Sequence, residues 1–159
     1  MARACGIFWL VTIVLGILGY LVAPHSYVAK ESIAVAGAAY LVVTGLLFVL
    51  FESVNRPIAL LAALFGVVGV ATSADSSLYF GIQCVLVGGL ILQSSLLPRA
   101  IGVLMVIAGI GQIVVLSNLL PPAVANTIAP AGYITDAIGE IAMALWLTIA
   151  GVKEKPSIG

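Results

Sequence analysis

Polar residues fall in short clusters along this chain, and between them lie apolar runs of helical length. The most regular pair, 78–97 and 100–120, is separated only by Pro98 and Arg99, so the second helix must turn straight back along the first. Each run is about 20 residues, roughly 30 Å of helix, which matches the hydrocarbon thickness of a bilayer. Four further runs, 7–23, 33–51, 58–72 and 133–152, complete a set of six. Most are apolar all the way round rather than along one stripe, the pattern of a helix surrounded by lipid and by other helices. The prediction is an all-α, polytopic membrane helical bundle: six transmembrane helices in a single transmembrane domain.

The breaks carry turn chemistry: Pro24, His25 and Ser26; 52–57; 73–77; Pro98 and Arg99; and 121–132. Proline suits these places because it lacks an N–H and biases the residue before it away from helix. An even number of crossings puts both termini on one side. With that side cytoplasmic, Arg3, Arg56, Arg99, Lys153 and Lys155 fall inside and only Lys30 falls outside, as the positive-inside rule requires. Tyr27, Tyr79 and Tyr133 then belong near the outer interface and Trp146 near the inner one. The opening stretch, an Arg followed by an apolar core, also resembles a secretory signal; it is read here as the first crossing.

Composition strengthens this picture. Of 159 residues, 63% are hydrophobic and 8% charged, with a mean hydropathy of +1.29. Soluble domains carry about 25% charged residues, so this chain lacks the polar side chains to cover itself in water. Net charge is zero and no basic run occurs, which removes nucleic acid from the expected partners. His25 is the sole histidine, so haem ligation by two histidines within the chain is excluded, and no His, Cys or carboxylate spacing resembles a metal site. Cys5 and Cys84, within apolar sequence, read as small apolar fillers. No cofactor is called for, although a bound lipid or hydrophobic cofactor is compatible with the composition.

Helices solvated by lipid cannot associate by escaping water and need close backbone contact or interhelical hydrogen bonds. Small residues recur at helical spacing as Ala34 and Ala38, Ala62 and Gly66, Gly81 and Gly88, and Gly102 and Gly109. A weak internal repeat pairs the second and third runs with the fourth and fifth. It aligns Gly45 with Gly88, Arg56 with Arg99, Ile58 with Ile101 and Gly66 with Gly109.

The candidate site lies in the last run. Glu140 sits about 10 Å along the helix from Tyr133, where an ionised carboxylate costs several kcal/mol unless it is paired, hydrated or protonated. Asp136 lies one turn earlier on the same face. Gln83 and Gln112 come at comparable depth, with Ser117 and Asn118 nearer the rim, so a polar pocket in the outer half of the bundle is expected from Glu140, Asp136, Gln112, Gln83 and Asn118. Two readings stand. In one, Asp136 favours its helix N-terminus and Glu140, hydrogen-bonded to Gln112, locks the sixth helix onto the fifth. In the other, Glu140 binds a proton or a cation in a site open to the outside.

Gln93, Ser94 and Ser95 form a second polar cluster, before Pro98. They are expected to satisfy the frayed carbonyls of a helix end, since no base can be placed beside either serine and the histidine is assigned to the opposite side.

Three blocks carry a resemblance. They are Arg56-Pro57-Ile58-Ala59-Leu60-Leu61-Ala62-Ala63-Leu64-Phe65; then Tyr79-Phe80-Gly81-Ile82 leading to Leu97-Pro98-Arg99-Ala100-Ile101-Gly102-Val103-Leu104; then Ile138-Gly139-Glu140 through Leu145-Trp146-Leu147 to Gly151-Val152-Lys153. Together they resemble the bacterial integral-membrane family called domain of unknown function 4386, in which an LPR-x-x-GVL hairpin and a GE…LWL…GVK last helix recur. The resemblance implies a multi-helix membrane protein of the bacterial inner (plasma) membrane and supplies no catalytic residues. Members tend to be longer and to carry an Arg and then a Glu after the Leu-Phe of the third helix, where this chain has Gly66 and Gly69. A histidine usual before the Gly81 region is missing, with Ser76 and Ser77 nearby, whereas Glu140 is retained.

The expectation that follows is a non-enzymatic membrane protein that works by packing, as an accessory subunit of a membrane complex or a binder of a lipid-like ligand. Its partners would be the lipid bilayer and a membrane protein or a second copy of itself. The alternative is a small proton-coupled transporter or channel using Glu140.

Overall fold

The structure, a computed structural model, describes residues 1–19, 26–72, 76–116 and 120–152. Among these every regular element is helical: α1 (Ala2–Ile17), α2 (Tyr27–Ala71), α3 (Ser76–Gln93), α4 (Arg99–Gly111, continued by a π-helical turn at Gln112–Leu116) and α5 (Pro122–Ile149). The second and third apolar runs fall in α2, as two helical arms separated by a sharp break at Asn55. There the backbone is extended (φ −155°, ψ 95°), and the Asn55 side chain accepts the N–H of Ile58 at 3.3 Å. That is an N-cap, with Pro57 in the first turn, where its missing N–H costs nothing.

The arms fold back on each other. A Cβ built on Gly37 would meet Val70, and one on Gly66 would lie 2.7 Å from the Thr44 hydroxyl. Beyond the arms, consecutive helices are neighbours and α5 returns to pack on α1, closing a ring in sequence order. Neighbours around this ring run antiparallel, as between Gly19 and Ala29 or Gly6 and Ala144, whereas the first arm of α2 also packs parallel to α3 through Tyr40 and Gln83. Arg3, Arg56 and Arg99 therefore share one end of the bundle and Lys30 takes the other.

Glycine sets the closest approach. A Cβ on Gly88 would lie 2.7 Å from the carbonyl oxygen of Gly102, and one on Gly109 would lie 2.5 Å from that of Gly81. Two pairs, a little under two turns apart, thus bring the α3 and α4 backbones into contact without an intervening side chain, the packing available to helices that water does not push together. Ala62 and Gly66 are buried as expected, but Ala34 and Ala38 are exposed. The buried side of that arm runs through Ala29, Ser32, Ala36, Ala39, Tyr40 and Val43. The interior is filled by Trp9, Val43, Phe51, Leu90, Ile91, Met105, Met143 and Leu147, all nearly inaccessible. Outward, α1, α2, α4 and α5 present aliphatic side chains: Val14 is 62% exposed, Leu64 52%, Ile107 47% and Ile134 60%.

Several expected ends move. α3 stops at Gln93 rather than Leu97, and Ser94 closes the end as predicted. Its hydroxyl donates to the Ile91 carbonyl at 3.1 Å and accepts from the Leu96 N–H at 3.4 Å. The last helix begins at Pro122, well before Tyr133, and runs through Pro130. Pro122 is favoured in the first turn, and Pro130 removes one ladder hydrogen bond without ending the helix. Tyr133 is consequently about 16 Å inside its helix. At the far end Gly151 takes φ +71°, the left-handed conformation in which glycine stops a helix, and its N–H bonds to the Trp146 carbonyl at 3.0 Å. Residues 20–25, 73–75, 117–119 and 153–159 are outside the description, and with them the expectations for His25, Ser117, Lys153 and Lys155.

Candidate functional site

Asp136 and Glu140 project from adjacent turns of α5, and glycines decide what they meet. On the α4 side, a Cβ on Gly139 would lie 2.7 Å from that of Ala108, and one on Gly111 would lie 2.7 Å from the Thr135 hydroxyl. The two backbones are therefore drawn together at the level of the carboxyls. Gln112 follows Gly111 at the start of the π-helical turn, a wider coil that re-aims side chains and is frequent at functional sites. Its amide nitrogen donates to Asp136 Oδ1. Gln112 is buried, while Asp136 and Glu140 are half-buried.

On the α1 side, Gly6 lies against Ala144 and Thr148, one and two turns further along α5 than Glu140. The same close approach carries Trp9, one turn beyond Gly6, to the Glu140 carboxyl. The indole is 1% exposed, its Nε1–H completes no hydrogen bond of regular geometry, and Glu140 is a side chain with which it interacts. Gln112 also reaches Glu140. The site thus gathers Trp9, Gln112, Asp136 and Glu140 from three elements.

Gln83 does not join it directly. Its amide oxygen accepts from the Tyr40 hydroxyl at 2.9 Å and its amide nitrogen donates to the Thr44 hydroxyl at 3.4 Å, under the notch left by Gly66. These bonds tie α2 to α3. Tyr40 connects the two groups through its ring, edge-on to Trp9 with centroids 6.2 Å apart, and packs on Phe80 at 4.9 Å. Asn118 lies outside the described residues.

Depth also differs from expectation. α5 starts at Pro122, about 27 Å before Glu140, and ends about 14 Å beyond it, where the expected run started about 10 Å before it at Tyr133. Neither of the two described hollows is lined by an acid. One is a close-packed gap between α2 and α3; the other is a shallow groove of about 390 Å³ on α1, lined by Ile7, Leu10, Val11, Val14 and Leu15.

Trp9 is the member that sequence reasoning missed. Its signal was available: an indole N–H within the first apolar run needs an acceptor. Among the described residues no group of three or more His, Cys, Asp or Glu is placed to hold a metal ion. The described basic residues, Arg3, Lys30, Arg56 and Arg99, are all exposed. Two carboxyls facing N–H donors, with no basic residue brought to them, can accept hydrogen bonds and exchange a proton.

These features define an all-helical, apolar bundle with a carboxyl pair in its interior, and two of its helices, Tyr27–Ala71 and Ser76–Gln93, are long and apolar enough to cross a membrane. Residues 75–151 match the family described as Domain of unknown function (DUF4386), a stretch that contains the α3–α4 hairpin and the Glu140 helix. No curated protein and no solved structure matches the chain at a significant level.

Proposed function

We propose that the protein is a multi-pass protein of the inner (plasma) membrane that crosses the bilayer six times: once each by α1, α3, α4 with its π turn, and α5, and twice by the arms of α2. Both termini are cytoplasmic, with Arg3, Arg56 and Arg99. Its role is non-enzymatic: it works by packing within the bilayer, as an accessory subunit of a membrane complex or a binder of a lipid-like ligand. The observation that supports this is the contrast between the two sides of the ring. Inside, glycine contacts draw the helix backbones together; outside, α1, α2, α4 and α5 offer aliphatic side chains, with a shallow groove on α1. A surface of that kind recognises hydrocarbon or another helix. Gentle extraction followed by native mass measurement tests it. An ordered lipid, a hydrophobic cofactor or a membrane protein should accompany the chain, and a bare monomer contradicts the reading.

The meeting of Asp136 and Glu140 with Gln112 and Trp9 favours a second reading, a small proton-coupled transporter or channel. Glu140→Gln keeps the size and hydrogen bonding of the side chain and removes its titration. Unchanged flux in reconstituted vesicles would exclude that role.

A further inference from the structure

We propose that Asp136 and Glu140 together form a one-proton site, in which a single proton is held between the two carboxyls while Gln112 and Trp9 solvate the charge that remains. The inference shares Glu140 with the transport reading but does not need flux.

The argument starts from the donors. Gln112 gives an amide N–H to Asp136 and lies within reach of Glu140, and the buried indole of Trp9, whose N–H completes no regular bond, lies within reach of the same carboxyl. A buried N–H without an acceptor is costly, so this donor marks a place for an acceptor oxygen. The acids supply that charge, but in excess, since two carboxylates one turn apart repel where water is scarce. One proton resolves both demands. It enters from the aqueous phase as an O–H bond on one carboxyl, which donates to the other, and the pair passes from two negative charges to one. The remaining acceptor positions are those that the Gln112 amide and the Trp9 indole fill.

The same donors argue for a proton rather than a metal ion. A metal would need the carboxylate lone pairs to which these N–H groups point, and nitrogen-bound hydrogens facing it would repel it. Among the described residues, the other elements bring the Tyr40 phenol from α2 and the Cys84 thiol from α3, both within electrostatic reach of the acids, and Cys5 from α1, within reach of Tyr40.

Trp9 supplies the readout. The full chain carrying Trp146→Phe keeps a single indole, and its emission is titrated against pH in lipid nanodiscs, in parallel with the infrared band of protonated carboxyl groups. The expected result is one pH-dependent step in the emission, matched at the same pH by one component of the infrared signal over that of the chain's other carboxyls. That step is lost in Glu140→Gln and displaced in Asp136→Asn, and sodium, potassium or magnesium at fixed pH leaves the emission unchanged. Should Glu140→Gln fail to fold, Trp9→Phe must still displace the infrared step. Signals independent of pH, an infrared step indifferent to Trp9→Phe and Asp136→Asn, or emission that follows the metal ion would each overturn the proposal. Flux is measured separately: a titrating site without flux sinks only transport, and flux without a titrating pair sinks the proton site.

Discussion

Tyr40 donates its phenolic hydrogen to Gln83 over 2.9 Å, joining the first arm of α2 to α3 deep inside the bundle. Both residues are buried, and the Gln83 amide nitrogen has Thr44 as its other partner. Tyr40→Phe keeps the ring against Trp9 and Phe80 but leaves Gln83 Oε1 without its donor. Hydrogen bonds between membrane helices average about 0.6 kcal/mol and reach about 1.7, and this one, with no water to replace the donor, belongs at the upper end. The apparent melting temperature in detergent should fall in Tyr40→Phe, and a matched Tyr40→Phe, Gln83→Leu pair should recover part of the loss. No change in either variant would show that the bond contributes nothing to stability.

The glycine contacts give a sharper contrast. Gly88→Ala would place a methyl group 2.7 Å from the Gly102 carbonyl, so α3 and α4 must separate, at about 1–3 kcal/mol for an overpacked contact. Gly45 occupies the corresponding place in the internal repeat, yet nothing lies within 4 Å of a Cβ there. Gly45→Ala should be neutral or stabilising, because alanine favours helix by about 1 kcal/mol over glycine. Thermal unfolding of the two single variants checks the difference in sign.

Asn55 caps the second arm of α2. Asn55→Ala removes the acceptor for the Ile58 N–H and should cost about 1 kcal/mol, the usual value of an N-cap. Asn55→Asp should retain the fold, since a carboxylate accepts the same bond. Thermal unfolding in detergent separates the two variants; equal loss in both would mean that the cap is immaterial.

Much of this architecture was legible because its breaks are chemical. Pro98 and Arg99 placed the hairpin turn, and the cluster at 52–57 held the α2 break, where Asn55 and Pro98 stand at matching positions ahead of Arg56 and Arg99. The start of α5 was not legible. Proline marks a boundary only where the chain can leave the helix, and Pro130 shows that a long apolar helix tolerates one missing hydrogen bond. Rotation about the helix axis was harder still. A segment apolar on all sides has no polar face to show which side packs, so Ala34 and Ala38 were assigned inward although Ala36, Ala39 and Tyr40 are the buried side. The same gap explains the site. Gln83 and Gln112 were matched by depth, but direction separates them, Gln83 facing Tyr40 and Thr44 while Gln112 faces Asp136. Trp9, on a helix distant in sequence from α5, reaches Glu140 only because Gly6 lets α1 approach.

The account depends on lipid surrounding the outer face of the ring, with alternate ends of the helices on opposite sides of the membrane. The most direct measurement is labelling of single cysteines by a membrane-impermeant thiol reagent in intact cells, with Cys5 and Cys84 replaced by alanine. Lys30→Cys and Arg99→Cys are the informative positions, since both side chains are exposed at opposite ends of the bundle. Lys30→Cys should react in intact cells and Arg99→Cys only after the membrane is opened. Reaction of both from the same side, or recovery of the chain in the soluble fraction, would contradict the account.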